Sequence, residues 1–198
     1  MGGIDLVDGT LHVDRQPNAL DELAIRFTTI LDDLGIDHVY VSGYVAILTG
    51  RSRATEDIDV LLERIDDETI TALVGRLKNE GFWGPAMPLD RMAELLEDAI
   101  WVADNGEAVP HLEVTFVGDR FDRASLRNRL TATIDGATLP IGPLELQIAY
   151  KLWMGSQTDF EDALHLFGLF EESLSTADLE CWVETLGVED AYDRLERS

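Results

Sequence analysis

The sequence predicts an α/β fold in which a mixed β-sheet carries flanking helices and a helical segment follows. Apolar strands alternate with amphipathic helices up to about residue 142, a pattern typical of a sheet covered by helices. Two turn signals, Asp104-Asn105-Gly106 and Asp135-Gly136, separate apolar runs and predict β-hairpins. From Pro143 onward the apolar residues follow the helical period. We therefore expect an α/β core over residues 1–142 and a helical portion over 143–198 that packs on it.

The individual elements are predicted from apolar spacing and from the residues that begin and end each segment. A helix over residues 17–35 has Pro17 near its start, an apolar stripe on one side and Gly35 after its end, which is the usual asymmetry of helix termini. Short apolar runs predict strands at residues 38–42, 57–62, 100–103, 109–117, 131–134 and 137–139. Helical spacing predicts further helices at residues 43–50, 66–80, 89–98, 121–130, 143–154, 158–171, 175–186 and 188–197.

The composition limits the class of protein and its partners. The chain is 45% hydrophobic, which is enough for a core, yet 39 acidic residues face only 15 Lys and Arg, for a net charge of −24. Such an acidic surface, with Lys78 and Lys151 as the only lysines, resembles proteins of organisms with molar internal salt, where repulsion is screened. We therefore expect a halophilic source. The charge disfavours nonspecific nucleic-acid binding through phosphate contacts, although a local groove lined by arginine stays compatible with binding an RNA end.

The sequence also carries expectations about location. No apolar run is long enough to span a bilayer, and the first residues lack the basic and apolar regions of a signal peptide. Cys181 is the only cysteine, so an intrachain disulfide and a cysteine zinc site are both excluded. We expect a soluble cytoplasmic protein without a membrane partner.

Residues 41–59 are the most informative stretch for function. The small-residue turn Ser42-Gly43 follows an apolar strand, and Asp57 and Asp59 stand two residues apart on the next one. Residues two apart on an extended strand point to the same side, with Cα atoms roughly 6.6 Å apart. Surface acids are the plain alternative, but the apolar residues around Ile58 indicate a buried strand, where carboxylates are uncommon. Two carboxylates beside a flexible turn suit a magnesium ion that holds a nucleoside triphosphate.

The order of these motifs resembles a known family. Strand, small turn, helix and the motif Arg53-x-Thr55-x-Asp57-Ile58-Asp59 resemble the nucleotidyltransferase fold of the DNA polymerase beta superfamily. The closest branch is that of the AbiEii-toxin-like and minimal prokaryotic nucleotidyltransferases. Its third carboxylate corresponds to Glu113 here, and its helical lysine and Asp-x-x-Asp motif correspond to Lys151, Asp159 and Asp162. The resemblance covers about residues 38–167.

The resemblance implies a magnesium-dependent enzyme, with Mn²⁺ as an alternative metal, that transfers a nucleoside monophosphate from an NTP and releases pyrophosphate. The implied catalytic and metal-binding residues are Asp57, Asp59 and Glu113. The implied nucleotide-binding residues are Ser42, Gly43, Arg53, Thr55, Lys151, Asp159 and Asp162. The acceptor stays open between an RNA or tRNA end, a protein hydroxyl and a small molecule. A cognate antitoxin or toxin is the expected protein partner.

Each of these residues also has a structural interpretation. In this interpretation Gly43 is only a turn residue, and Ser42 or Asp159 caps a helix. Arg53 is then half of an ion pair, and Glu113 is an exposed strand residue. The four tryptophans are expected in the core rather than as platforms for bases.

Two alternative functions follow from the same sequence. Ser42 replaces the glycine of the family motif and Glu113 replaces the usual aspartate, which is compatible with a non-catalytic nucleotide-binding or antitoxin-like module. The apolar stripe in residues 175–198 is compatible with a protein whose helical part binds a partner, although packing on its own sheet is the simpler interpretation.

Overall fold

The computed structural model describes residues 3–198, which contain one sheet of nine strands. The strands are β1 (Ile4–Val7), β2 (Thr10–Val13), β3 (His38–Val41), β4 (Asp57–Leu62), β5 (Phe82–Trp83), β6 (Ile100–Asp104), β7 (His111–Phe116), β8 (Leu130–Ile134) and β9 (Ala137–Ile141). Their spatial order is β1-β2-β8-β9-β3-β4-β7-β6-β5. The sheet is mixed because β3 runs antiparallel to β4, whereas β4 runs parallel to β7.

The helices alternate with the strands in the first part of the chain and then follow one another. They are α1 (Ala19–Asp33), α2 (Gly43–Leu48), α3 (Asp67–Asn79), α4 (Met92–Leu95), α5 (Arg120–Arg127), α6 (Leu144–Met154), α7 (Gln157–Phe170), α8 (Thr176–Leu186) and α9 (Glu189–Glu196). The predicted α/β architecture is therefore confirmed. The division into an α/β core and a separate helical portion at residue 142 stays a prediction.

The start of α1 shows how local sequence fixes an element that supports the site. Asn18 caps the helix because its side chain accepts hydrogen bonds from two backbone N–H groups. The Asp21 carboxylate in turn accepts a hydrogen bond from the Asn18 N–H, and the two residues form a capping box. The helix therefore begins at Ala19 rather than at Pro17. Asp21 is fully buried and also accepts a 2.9 Å hydrogen bond from the Tyr44 hydroxyl. This hydrogen bond joins α1 to α2, the helix that begins at Gly43 in the candidate site.

The core lies against the apolar face of β4 and β7. Ile58, Val60, Leu112 and Val114 are fully buried in a cluster that continues into the C-terminal helices. Alternation along the strand then places Asp57, Asp59 and Glu113 on the opposite face of the sheet. Within residues 3–198 no helix is both long and apolar enough to cross a membrane.

Most predicted elements agree with the structure within a few residues, and both predicted hairpins are confirmed. Two helix predictions are too long. The helix predicted over 121–130 ends at Arg127, because Leu130 pairs with Ile141 and begins β8. The segment predicted over 89–98 forms a short 3₁₀ turn and one turn of α-helix that ends at Leu95.

Two short strand pairings were not predicted. Strands β1 and β2 form a hairpin around Asp8-Gly9, a dipeptide of the kind that predicted the hairpin at Asp135-Gly136. Strand β5 has only two residues, which is too short for a sequence pattern. It is a strand because it pairs with β6.

Candidate active site

The three predicted carboxylates lie together on neighbouring strands. Asp57 and Asp59 stand on β4, and Asp59 is the register partner of Glu113 on β7, so all three point to the same face of the sheet. The hydroxyl of Thr55 donates a 2.5 Å hydrogen bond to Asp57 Oδ1 and fixes that carboxylate. In the described residues, however, no three His, Cys, Asp or Glu side chains are already arranged as a metal site. The three carboxylates therefore share one face of the sheet, and their role as metal ligands stays a prediction.

Burial and the neighbouring carboxylates shift the pKa of Asp59. Burial, followed by the neighbouring charges of Asp57 and Glu113, raises the pKa of Asp59 to about 6 against the opposing effects of Ser42 and Lys151. A rise of this kind shows that ionised Asp59 lacks sufficient compensating positive charge. Carboxylate oxygens are the ligands that Mg²⁺ and Mn²⁺ prefer, with water or phosphate oxygens completing the shell. The donor set therefore fits such an ion.

Ser42 connects β3 to α2 in an unusual backbone conformation. Its φ of 63° and ψ of −133° lie in a region that residues with a side chain rarely adopt and that costs about 1–3 kcal/mol. The Ser42 side chain makes no capping hydrogen bond to α2, so the interpretation as a plain helix cap is wrong. The positive φ explains why glycine suits this position, because glycine has no Cβ to clash.

Gln147 is a site residue that the sequence analysis missed. Its side-chain Oε1 accepts a 2.8 Å hydrogen bond from the Ser42 backbone N–H, and the residue is only 5% exposed. A Cβ added at Gly142 would lie 2.3 Å from Gln147 Nε2, so a side chain at residue 142 would displace the Gln147 amide. A signal existed in the sequence, because Gln147 stands four residues before Lys151 on an apolar helix and thus shares its face.

Gly43 and Arg53 depend on each other. Gly43 is the first residue of α2, and a Cβ there would come within 3.0 Å of the Arg53 guanidinium. Gly43 is therefore more than a turn residue, because its missing side chain makes room for Arg53. Arg53 forms an ion pair with the buried carboxylate of Asp162, which confirms the structural interpretation of that arginine.

Lys151 belongs to a buried ion-pair cluster on α6 and α7. Its Nζ lies 2.7 Å from Asp159 Oδ1 and 3.2 Å from Asp162 Oδ2. Arg51 Nε lies 2.5 Å from the other oxygen of Asp162, so this one carboxylate meets Arg51, Arg53 and Lys151. We call Arg51, Arg53, Lys151, Asp159 and Asp162 the ion-pair cluster. It joins the segment after α2 to the C-terminal helices.

Asp159 is a member of this cluster rather than a helix cap. The cap of α7 is Ser156, whose hydroxyl accepts from the Asp159 N–H, so the capping interpretation of Asp159 is wrong. Burial works against the ionised form of Asp159, but hydrogen bonds from Lys151 and Ser156 outweigh it and lower the pKa. Asp159 therefore stays charged beside Lys151.

A cavity of about 240 Å³ opens between the sheet, α5 and α6. Of the predicted residues it brings together Ser42, Asp59, Glu113 and Lys151. Gln147, Phe121, Tyr150 and Asp122 also line it. The cavity is not lined by the other predicted residues, which are Gly43, Arg53, Thr55, Asp57, Asp159 and Asp162. The cavity combines acidic side chains, one ammonium group and aromatic rings, as small-molecule sites often combine apolar surface with a few convergent polar groups.

The prediction that the tryptophans lie in the core is wrong for three of them. Trp83, Trp101 and Trp153 are 36%, 40% and 55% exposed. Trp101 lies on β6 and is the register partner of Glu113 on β7. This indole therefore stands in the row of side chains that contains the triad.

No protein-family model and no curated protein matches the chain. One similar solved structure is an antigenic nucleotidyltransferase-like protein from Paracoccidioides brasiliensis, at 21% identity and a TM-score of 0.55, over 88% of this chain and 91% of that one. Another is the antibiotic-resistance factor ANT(2'')-Ia, at 16% identity and a TM-score of 0.53, over 89% and 94% of the two chains. The chain therefore has the mixed α/β fold of nucleotidyltransferase-like proteins.

Proposed function

We propose that the protein is a magnesium-dependent nucleotidyltransferase that moves a nucleoside monophosphate from an NTP to an acceptor hydroxyl. The observation that carries this proposal is the placement of Asp59 and Glu113 as register partners, beside Asp57, at a cavity that also contains Ser42 and Lys151. The fold shared with nucleotidyltransferase-like proteins supports it.

Different residues would bind the metal, bind the triphosphate and accept the proton. Asp57, Asp59 and Glu113 would hold the metal, which when bound supplies positive charge at the reacting phosphate. The start of α2 after Ser42 offers backbone N–H groups to the triphosphate, and Lys151 adds an ammonium group. Glu113 accepts the proton of the acceptor hydroxyl, whose oxygen bonds to the α-phosphorus while pyrophosphate leaves.

The finer expectations belong to the same proposal. The motif order supports a place near the AbiEii-like branch, with an RNA end, a protein hydroxyl or a small molecule as acceptor and with an antitoxin or toxin as partner. The net charge of −24 supports a halophilic source.

The experiment is transfer of label from α-³²P NTPs at high salt with magnesium. Acceptors are RNA, protein and hydroxyl-bearing small molecules. Asp57→Asn and Asp59→Asn should each lower transfer on the order of 100-fold or more, because both are proposed metal ligands. Glu184→Gln, an exposed acid on α8, is the matched control and should transfer like wild type. Unchanged transfer in both aspartate variants would show that the site is misplaced.

A specific observation favours a second candidate, a nucleotide-binding module that does not transfer. The Ser42 N–H is already bonded to Gln147, and Lys151 is already paired with Asp159 and Asp162, so two groups suited to the triphosphate are engaged within the chain. Calorimetric titration with NTP separates the candidates. Binding of NTP without transfer to any acceptor supports the module, whereas binding with transfer supports the enzyme.

A further inference from the structure

The turn at residue 42 adopts a backbone conformation that its own side chain disfavours. The φ of 63° and ψ of −133° at Ser42 are close to those of the first central residue of a type II′ turn, a position dominated by glycine. Within residues 3–198 the other positive φ angles outside glycine belong to Asp8 and Asp135, each followed by glycine in a hairpin turn. Aspartate tolerates such angles because its side chain bonds to the local backbone. Serine at residue 42 therefore depends on a contact from elsewhere in the chain.

Gln147 supplies that contact from a fixed position. Its Oε1 accepts the 2.8 Å hydrogen bond from the Ser42 N–H. The residue is buried in the first turn of α6, where its own N–H donates to the Pro143 carbonyl at 3.0 Å. Its Nε2 packs against Gly142, where an added Cβ would come within 2.3 Å. Helix and packing together fix the oxygen that holds the turn.

The turn lies directly beside the proposed metal ligands. Val41, the residue before Ser42, is the register partner of Asp59 on β4. Ser42, Asp59, Gln147 and Lys151 all line the same cavity. Gln147 and Lys151 are four residues apart on α6 and thus share one face of that helix. One helix therefore sets the position of both the turn and the ammonium group relative to Asp59.

We propose that Gln147 is a positioning residue that holds the Ser42 turn in the conformation needed for the triphosphate. Glycine at residue 42 would make this hydrogen bond unnecessary, because glycine adopts a positive φ without strain. Without the bond, Ser42 relaxes towards negative φ and redirects the Gly43 N–H, whose direction depends on the ψ of Ser42. The effect on phosphate binding rests on the proposed nucleotidyl transfer, whereas the hold on the turn does not.

A purely structural role of Gln147 makes a different prediction. If Gln147 only satisfies the Ser42 N–H, its loss has the same effect whether or not residue 42 carries a side chain. If Gln147 holds a strained turn, its loss matters mainly when residue 42 carries one. A double-mutant cycle with Gln147→Leu and Ser42→Gly therefore separates the two roles.

The experiment compares wild type, the two single variants and the double variant as whole chains. Calorimetry at high salt with magnesium measures binding of inorganic tripolyphosphate, and urea unfolding without magnesium measures the unfolding midpoint. Gln147→Leu should weaken tripolyphosphate binding about tenfold, because roughly a tenth of the molecules then keep the competent turn. Added to Ser42→Gly, the same change should weaken binding less than about twofold. Its effect on the urea midpoint should shrink in the same way.

The matched control is Gln16→Leu, which changes an exposed glutamine ahead of α1 and should resemble wild type in both measurements. Unchanged binding by Gln147→Leu, or equal losses with and without Ser42→Gly, would overturn the proposal, because Gln147 then at most satisfies the Ser42 N–H. A Gln147→Leu protein that fails to fold and is rescued by Ser42→Gly supports the proposal, whereas failure in both proteins overturns it.

The urea midpoints separate this proposal from the proposed reaction. Suppose that wild type binds no tripolyphosphate. A midpoint loss that Ser42→Gly abolishes would then keep Gln147 as the positioning residue of the turn and remove only the phosphate site. Equal midpoint losses with and without Ser42→Gly would overturn the role of Gln147 as well.

Discussion

At the scale of single residues, the candidate site contains groups that lower the stability of the fold. Ser42 adopts a backbone conformation suited to glycine, and Asp59 is ionised in a buried place beside two other carboxylates. Gln147 offsets part of the first cost by bonding to the Ser42 N–H. Groups that are costly in the free protein are common where a ligand later compensates them.

We predict that Asp59→Asn stabilises the metal-free protein at pH 8 by about 2 kcal/mol. The folded pKa of Asp59 is about 6 against an ordinary value of 3.8, so the folded state binds this proton more tightly than the unfolded state does. The ionised carboxylate therefore destabilises the fold above pH 6, and the penalty disappears as the pH falls towards 4.

Urea unfolding of both proteins in EDTA, at pH 8 and at pH 4, measures this difference. The exposed Glu184→Gln variant serves as the control and should show a small, pH-independent effect. A stability gain for Asp59→Asn that is equal at both pH values would contradict the assignment.

At the scale of elements, the C-terminal helices hold the arginines of the segment that follows α2. Arg51 and Arg53 precede β4, and both pair with Asp162 on α7. His165 on the same helix contacts the Thr49 carbonyl through Nε2 at 3.0 Å. The geometry between the Ser42 turn and Asp57 therefore depends on helices that follow about a hundred residues later.

We predict that Asp162→Asn lowers the free energy of unfolding by about 3 kcal/mol. Asp162 is fully buried and is the shared partner of Arg51, Arg53 and Lys151, whose side chains are 19%, 20% and 4% exposed. Removing the charge leaves these cations without their common partner in a site that excludes most water.

The matched control is Glu97→Gln, which breaks the exposed pair with Arg64 and should cost less than about 1 kcal/mol. Urea denaturation of the two variants measures both losses in the free energy of unfolding. Similar losses in both variants would mean that the ion-pair cluster contributes no more than a surface pair.

At the scale of the whole molecule, the excess of acidic residues affects the stability of the fold. A net charge of −24 on 198 residues opposes the compact state through self-repulsion. Many arginines are already paired with acids on the surface, as Arg76 is with Asp33 at 3.0 Å, so the excess acids rely on solvent ions for screening.

We predict that the melting temperature rises between 0.1 M and 2 M KCl by roughly 4 to 8 °C, the shift that about 2 kcal/mol gives in a chain of this size. Calorimetry in KCl measures it, and the same series at pH 4.5, where many carboxylates are neutral, should show a smaller rise. A melting temperature that stays constant or falls with KCl at pH 7 would refute the role of self-repulsion.

The site was predictable wherever one local pattern fixes both residue and place. Asp57 and Asp59 are predicted by two-residue spacing on an apolar strand, and their shared face follows from strand geometry. Gln147 and Trp101 are not predictable in that way, because the first meets Ser42 across 105 positions and the second meets Glu113 only through a strand pairing. The hairpin at Asp8-Gly9 had an adequate local signal and was missed nonetheless.

The sequence by itself determined the α/β class, the order of most elements and the acidic pair on β4, because these depend on hydrophobic period, turn residues and spacing over a few positions. Only the tertiary structure decided what the side chains near that pair do. It turned Arg53 and Lys151 towards Asp162, bonded Gln147 to the Ser42 turn and left Trp101 exposed beside Glu113. These contacts join residues far apart in the chain, and their partners are chosen by packing and burial, which no local pattern encodes.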